Sequence, residues 1–442
     1  MKRLAITRPE LYVEEIREAV YLLENKVDIL HVRKPNATVE ELEHLVVALT
    51  KYRDRVVLHD HFELAVKYSL GGVHLNSRNS EAPSDFCGTV SRSCHTVEEV
   101  MRYKEECDYV FLSPIFDSIS KEGYCSAFSL AELERLRDSG VIDGRVYALG
   151  GITADKLQIV NNLGFGGAAM LGAVWTEQLT PPVVLTIAGS DSSGGAGIQA
   201  DIKAISALRG FAASAITAVT AQNTMGVSAI SPLAPDMIES QAVAVFEDMG
   251  VSAVKIGMVH NSEVVEAVAS VIERYRPQYT VCDPVMVATS GAKLIEDKTV
   301  AALVERLFPL ATLITPNLQE AAVLAGEAIS GVEQMVVAAQ RLSRQYSTAV
   351  LIKGGHLAGD MMCDVLCSAD GIYTFESQRV ESRNTHGTGC TLSSAIATYL
   401  AHGYALNSAV RLAKDYVTKA IARSKSLSLG QGNGALWHFE KL

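Results

Sequence analysis

No apolar run in this chain reaches the roughly 18 residues that a membrane-spanning helix needs. Positive charge is in deficit: 39 Lys+Arg stand against 50 Asp+Glu, a formal net charge of −11. Binding to nucleic acid or an anionic membrane by bulk charge is therefore disfavoured, whereas a local phosphate site is not. Cysteine is thinly spread, eight residues over both halves of a 442-residue chain, so a disulfide scaffold is not expected. Cys363 and Cys367 form the one close pair, and no second pair or nearby histidine completes a zinc set there. The basic start Met1-Lys2-Arg3 lacks the apolar stretch of a signal peptide, and a cytoplasmic protein is expected. Low-complexity tracts and short repeats are missing too. What is present, 48% apolar and 20% charged residues, suits folded domains, and the length suits two or three of them.

The first half alternates short β-branched runs with helix-like stretches. The runs are Leu4–Thr7, Asp28–Val32, Val56–His59, Gly72–Leu75, Thr89–Ser93, Tyr109–Pro114, Val146–Gly150 and Gly167–Leu171. Between them, Val39–Lys51, Thr96–Glu106 and Ala154–Leu163 carry apolar residues at i, i+3, i+4 spacing. Eight strands and alternating helices predict a small (β/α)8 TIM barrel, with a doubly wound sheet as the competitor. Gln178-Leu179-Thr180-Pro181-Pro182 marks a boundary, because two prolines stop a helix and interrupt a ladder. Beyond it, Val183–Ala188, Val251–Ile256, Tyr279–Cys282, Leu313–Thr315 and Ala349–Lys353 read as strands of an α/β sandwich with a mainly parallel sheet. The expected domains are 1–178 and 183–442.

Chemistry is densest at Asn384-Thr385-His386-Gly387-Thr388-Gly389-Cys390-Thr391. The glycines permit a tight turn with exposed N–H groups. Leu392, Ile396, Tyr399 and Leu400 then form a helical stripe. A helix start of this kind suits the charge on a transferring phosphoryl group, and Cys390 in its first turn is expected to lean toward thiolate. An ordinary glycine loop with a structural cysteine is the plainer alternative. Ile187–Asp201 follows a strand and enters a helix, but it lacks the Gly-Lys-Ser/Thr of a Walker A loop. Asp201 is either an acceptor for a substrate amine or a solvated charge. Asp283-Pro284 and Thr315-Pro316-Asn317-Leu318-Gln319-Glu320 follow strands, where open α/β sheets place ligand groups and a carboxylate can organise Mg2+. Lys353-Gly354-Gly355-His356 puts a cation at another strand end.

These stretches, with Thr220-Ala221-Gln222-Asn223-Thr224 and Lys255-Ile256-Gly257-Met258, make residues 183–442 resemble the hydroxymethylpyrimidine/phosphomethylpyrimidine kinases of thiamin biosynthesis, of ribokinase-like fold. The resemblance implies that Gly189, Asp201, Gln222 and Val285 contact an aminopyrimidine alcohol or its phosphate, with Met258 nearby. It assigns Asn317 and Glu320 to the Mg2+–ATP side, Lys353 to the nucleotide phosphates, Gly387, Thr388 and Gly389 to an anion hole, and Cys390 to the base. It also implies a homodimer. Pyridoxal kinase is the alternative within the fold, since the phosphate machinery would be shared.

Residues 1–178 resemble the superfamily of thiamin phosphate synthase and the thiazole tautomerase-like TenI proteins. The carrying residues are His31-Val32-Arg33, Leu58-His59-Asp60, Gly72-Val73-His74-Leu75, Ser91-Arg92-Ser93, Pro114-Ile115-Phe116 with Lys121, and Ala148-Leu149-Gly150-Gly151-Ile152. The resemblance places Arg33, Asp60, Ser93, Lys121, Gly150, Gly151 and Gly172 around a phosphate ligand such as thiazole phosphate, with Asp60 as a Mg2+ ligand. The chain departs from the synthase pattern, however. His31 stands for the Gln of Q-L-R-x-K, with Lys34 one place early. His59 stands for Asn, and Asn79 replaces the second Mg2+-binding Asp. The tautomerase branch fits Ser91-Arg92-Ser93, but its acid/base histidine falls on Pro114. Tautomerase, synthase and non-catalytic scaffold therefore stand as three readings, with His59, His61, His95 and Lys121 as candidate acid–base groups.

Overall fold

The computed structural model describes residues 1–117, 126, 128–175, 179–286, 296–355 and 359–439. Two compact units divide the chain, Met1–Thr180 and Pro181–Leu442.

In the first unit, β1 (Lys2–Ile6), β2 (Ile29–Val32), β3 (Val56–Leu58), β4 (Gly72–Leu75), β5 (Thr89–Cys94), β6 (Tyr109–Leu112), β7 (Val146–Leu149) and β8 (Gly167–Met170) close into a parallel barrel in chain order. Pairing of Lys2 with Gly167 through Ala5 with Met170 completes the ring. The doubly wound alternative is thereby excluded. Helices Val39–Ala48, Val97–Tyr103 and Leu130–Asp138 each start with a reciprocal capping box, Thr38/Glu41, Thr96/Glu99 and Ser129/Glu132, which satisfies N–H groups that a helix start leaves open. No helix lies between β4 and β5, as the irregular sequence of that stretch predicts. Inside the barrel, Leu4, Ile6, Tyr109, Phe111, Tyr147 and Ala169 form an apolar cluster. Facing strands bury His31, His74 and Ser91 instead.

The second unit holds a nine-stranded sheet among the described residues, in the order β11-β10-β9-β12-β13-β14-β15-β16-β17. Its strands are β9 (Val183–Asp191), β10 (Phe211–Asn223), β11 (Gly226–Pro232), β12 (Val251–Ile256), β13 (Tyr279–Cys282), β14 (Leu313–Ile314), β15 (Ala349–Ile352), β16 (Met361–Ser368) and β17 (Gly371–Gln378). The centre is parallel, whereas β11, β16 and β17 are antiparallel additions. Helix Ser262–Tyr275 buries Val264, Val265, Val268, Val271 and Ile272 against the sheet, as a 3.6-residue period requires. Helix Thr388–Ala401 differs from the one-sided stripe expected, for every residue from Thr391 to Leu400 is buried. Its hydroxyls make that tolerable: Thr398 donates to the Ser394 carbonyl, Ser393 to the Gly389 carbonyl and Ser394 to Asp201.

Candidate active site

A cavity of about 670 Å³ lies at the C-terminal ends of the parallel strands of the second unit, where an open α/β sheet leaves room for ligands. Gly189, Gln222, Met258, Val285, Asn317, Glu320, Lys353, Gly387, Thr388, Gly389 and Cys390 all line it. Residues up to 201 positions apart in the chain thus reach one cavity because each ends, or follows, a neighbouring strand.

The turn expected to form an anion hole lies at an interlock of two glycine turns. Gly387 has φ +80°, and a Cβ there would sit 1.9 Å from the Gly195 carbonyl oxygen. Gly197, at φ +56°, is equally constrained against the Gly189 carbonyl, 2.2 Å from its own would-be Cβ. Gly387 offers no side chain to cap helix Thr388–Ala401; the Thr388 N–H donates to the Thr385 carbonyl at 3.4 Å, which leaves the Gly389 and Cys390 N–H groups for a ligand. Gly389 opens toward charge: its would-be Cβ lies 3.4 Å from Lys353 Nζ and 3.5 Å from Asp283 Oδ2.

Behind this helix start runs a buried chain of ions. Lys353 Nζ donates to Asp283 Oδ1 at 2.6 Å, and Thr315 donates to the same oxygen at 3.0 Å. Burial works against the Asp283 charge, but Lys353 and Lys255 outweigh it and hold the carboxyl below its ordinary range. Burial likewise opposes the Lys353 charge and is outweighed by Asp283 and Glu320, so the ammonium is held above its ordinary range. Glu320 is pushed up to about 7, by burial first and by Asp283, with Lys353 pulling the other way. Both its oxygens are engaged, one by the Asn317 N–H at 2.8 Å and one by the Met286 N–H at 3.3 Å. Asn317 in turn accepts from the Glu320 N–H at 2.9 Å. The expected nucleotide-side pair is thus also the capping box of helix Leu318–Ala325.

Two sequence expectations are corrected here. Asp201 is neither solvated nor in the cavity. It is fully buried beneath it, accepting from Lys255 Nζ at 2.8 and 3.0 Å, Thr186 at 2.6 Å and Ser394 at 2.8 Å. Its helix packs on β9 and turns that face inward. Cys390 does not lean toward thiolate: burial pushes its thiol up, and Asp201 and Asp283 add to this against the opposing pull of Lys255.

Sequence reasoning missed a polar platform beside Gln222. His386 Nε2 lies 3.0 Å from Asp191 Oδ2 and 3.1 Å from the Gln222 side-chain amide. Asp191 is itself fixed by the Ser193, Gly195 and Ala196 N–H groups. Their only signal was membership in the two glycine motifs. His356 lies outside the described residues.

The barrel presents a second candidate site. Asp60 Oδ1 accepts from Arg78 Nη2 at 2.8 Å and Nε at 3.1 Å, with the Asn79 amide at 3.4 Å, while Oδ2 is buried without a partner. A guanidinium thus occupies the carboxylate assigned to Mg2+, and Asn79 brings no second charge; this donor set does not fit the ion. Lys34 is buried against Glu15 at 2.5 Å, away from any ligand role. Arg33 is half-buried after β2, its N–H donating to Thr7. Gly150 and Gly151 adopt φ +96° and +63°, and side chains there would strike Pro114 and the Asp117 carbonyl. Gly172 is exposed after β8, and Lys121 lies outside the described residues. Ser93 donates no free hydroxyl to the mouth but sits 2.8 Å from His74 Nε2. His61 Nε2 is tied to the Ala37 carbonyl and His95 Nδ1 to the Ser113 carbonyl.

The fold and the cavity define a ribokinase-like small-molecule kinase joined to a (β/α)8 barrel. The phosphomethylpyrimidine kinase family matches residues 191–437, and the thiamine monophosphate synthase family, TMP-TENI, matches residues 4–174. The chain is 40% identical over 410 residues to the thiamine biosynthesis bifunctional protein ThiED of Geobacter sulfurreducens, covering 86% of this chain and 82% of that protein. It is 49% identical over 260 residues to the hydroxymethylpyrimidine/phosphomethylpyrimidine kinase of Rhizobium meliloti, covering 59% of this chain and 97% of that one. An ADP complex of Bacillus subtilis pyridoxal kinase aligns at 35% identity and TM-score 0.55, covering 59% of this chain and 98% of that one. The chain belongs to the phosphomethylpyrimidine kinase family, in the bifunctional form that carries a thiamine monophosphate synthase-family barrel ahead of the kinase.

Proposed function

We propose that the second unit uses ATP to phosphorylate 4-amino-5-hydroxymethyl-2-methylpyrimidine and then the resulting monophosphate, giving the diphosphate. The observation that carries this reading is the convergence, in one cavity, of a glycine-capped helix start, the Lys353–Asp283 pair and the Gln222, Met258 and Val285 wall. Phosphoryl transfer needs in-line positioning and neutralised charge more than covalent chemistry. The Gly387–Gly389 turn, with the N–H groups at Gly389 and Cys390, would hold the transferring group, and Lys353 would neutralise it. Asp283 and Glu320 supply the hard oxygen donors that Mg2+ prefers; the bound ion would share the phosphate charge with Lys353. Cys390 would take the hydroxymethyl proton in the first step, whereas the second nucleophile is already an anion. Gln222, fixed by Thr220, Ser192 and His386, would read the aminopyrimidine edge.

Turnover of the aminopyrimidine alcohol and of pyridoxal, measured side by side with ATP and Mg2+, tests this reading. The aminopyrimidine is expected to win in kcat/KM; a preference for pyridoxal would transfer the chain to the other vitamin kinase. For the barrel, a thiazole phosphate-binding domain is the reading that the Arg78–Asp60 pair and the glycine turns support. Thiamin phosphate synthase is the second reading, favoured by the family match over residues 4–174. Thiamin phosphate formation from thiazole phosphate and the pyrimidine diphosphate selects the synthase; saturable binding without product selects the ligand domain. A homodimer of the kinase unit is supported by the fully exposed strand β11 with Val227 and Ile230 on it, and sedimentation of the full chain tests it.

A further inference from the structure

Three histidines meet inside the barrel, and none belongs to the kinase cavity. His31 comes from β2, His59 follows β3 and His74 lies in β4, so three adjacent strands direct them inward. They are 0%, 5% and 1% exposed. One ring nitrogen from each falls within 4.8 Å of the others. His31 Nδ1 and His59 Nε2 are 2.9 Å apart, and the His59 and His74 rings stack at 4.2 Å. We propose that His31, His59 and His74 form a transition-metal site that takes one Zn2+ per chain.

Three imidazoles are the donor set that zinc favours, and they exclude Mg2+, which wants oxygen. A tetrahedral ion with Zn–N bonds of about 2.0–2.1 Å spaces its nitrogens by roughly 3.3–3.4 Å. The candidate nitrogens are 2.9 to at most 4.8 Å apart, so that spacing opens the His31–His59 contact by about 0.4–0.5 Å and closes the wider ones by up to about 1.5 Å. Ligating histidines are normally oriented by a hydrogen bond at the other ring nitrogen, and such partners are in place. Tyr109 Oη is 2.8 Å from His31 Nε2; His74 is held at both nitrogens, by Ser91 Oγ at 2.9 Å and Ser93 Oγ at 2.8 Å, so one serine orients the ring while the other yields its nitrogen to the ion. His31 and His59 stand where the synthase pattern carries Gln and Asn, so the cluster is not part of that pattern.

The test uses the full chain stripped with a chelator. Titration with Co2+ should give the intense visible absorption of a tetrahedral ion at one equivalent, displaced by Zn2+. His31→Gln and His59→Asn, which restore the synthase-pattern residues, should each weaken binding by more than the about 10- to 100-fold that a lost outer partner costs. Tyr109→Phe should fall within that range. Kinase turnover by the same preparations should be unchanged, and an unchanged thermal transition of the Met1–Thr180 unit, followed by circular dichroism, reports that the barrel of each variant is folded. Anomalous scattering at the zinc edge from wild-type crystals should place the ion among the three rings. Absence of binding by the wild-type chain, binding that survives both histidine substitutions, or an anomalous peak elsewhere overturns the proposal.

Discussion

In the proposed reaction Cys390 and Lys353 divide the work of the kinase cavity, and the division is measurable. Because burial raises the Cys390 thiol, its base form is scarce at pH 7 and grows with alkalinity. Phosphorylation of the alcohol should therefore accelerate from pH 7 to 9, while phosphorylation of the monophosphate, an anion from the outset, should not follow. Cys390→Ala should cost about 10²-fold on the first step and under about 10-fold on the second; equal losses on both would remove the base role. Asp201 makes the opposite case. Its carboxylate neutralises fully buried Lys255, so Asp201→Asn should destabilise the kinase unit by about 3–5 kcal/mol, the cost of an uncompensated buried charge. Thermal denaturation checks this, and partial recovery in Asp201→Asn/Lys255→Met would identify the ion pair as the cause. The sequence made Asp201 a ligand candidate because a helix periodicity gives the face but not the depth of a residue. Cys390 was legible as a candidate from its glycine motif; its protonation was not, because desolvation depends on walls contributed by β12 and β13.

At the scale of elements, strand edges were the most legible feature. Val251–Ile256 and Tyr279–Cys282 coincide with β12 and β13, and the eight barrel runs each contain a strand displaced by a residue or two at its ends, since buried parallel strands read as continuous apolar runs. The long strand β10 and the β16–β17 hairpin went unseen, because Phe211–Asn223 mixes Ala, Ser and Thr, and toward its end apolar Val219 is exposed while Thr220 is buried. The Gly195–Gly387 interlock was invisible for another reason: two turns nearly 200 residues apart must approach before their glycines are required. Gly387→Ala should cost more than about 2 kcal/mol, because left-handed backbone alone is worth about 1–2 and the carbonyl of Gly195 blocks the new Cβ; loss of both stability and turnover is expected, and a fully active, stable variant would contradict the interlock. In the barrel, Glu15 ties the first helix to Lys34 and has its pKa pushed up to about 7, by burial against the pull of Lys34. A carboxyl raised from 4.5 on folding contributes stability that is complete below about pH 4.5 and is lost as pH rises through about 7. Glu15→Gln should flatten the barrel's stability profile over that window, as followed by denaturant melts at several pH values.

The whole chain joins two family members whose sequence patterns were conserved to different degrees within it. In the kinase unit the cavity residues arrive complete, and only Asp201 lies outside the cavity that was expected to hold it. In the barrel the fold was readable from periodicity, but the chemistry was not, because Arg78 pairs with Asp60 and three histidines fill the interior. Substitutions at strand ends alter a site without altering the strands. The net charge of −11 is compatible with the proposed phosphate binding, since backbone N–H groups and buried lysines supply local positive potential. The central claim is that one cavity performs two successive phosphoryl transfers. A phosphorus NMR time course of the full chain with ATP, Mg2+ and the aminopyrimidine alcohol tests it most directly. The account predicts a monophosphate signal that rises and then gives way to diphosphate, with both steps slowed about 10²- to 10³-fold by Lys353→Met. A course that stops at the monophosphate, or diphosphate formed at the wild-type rate by Lys353→Met, would contradict it.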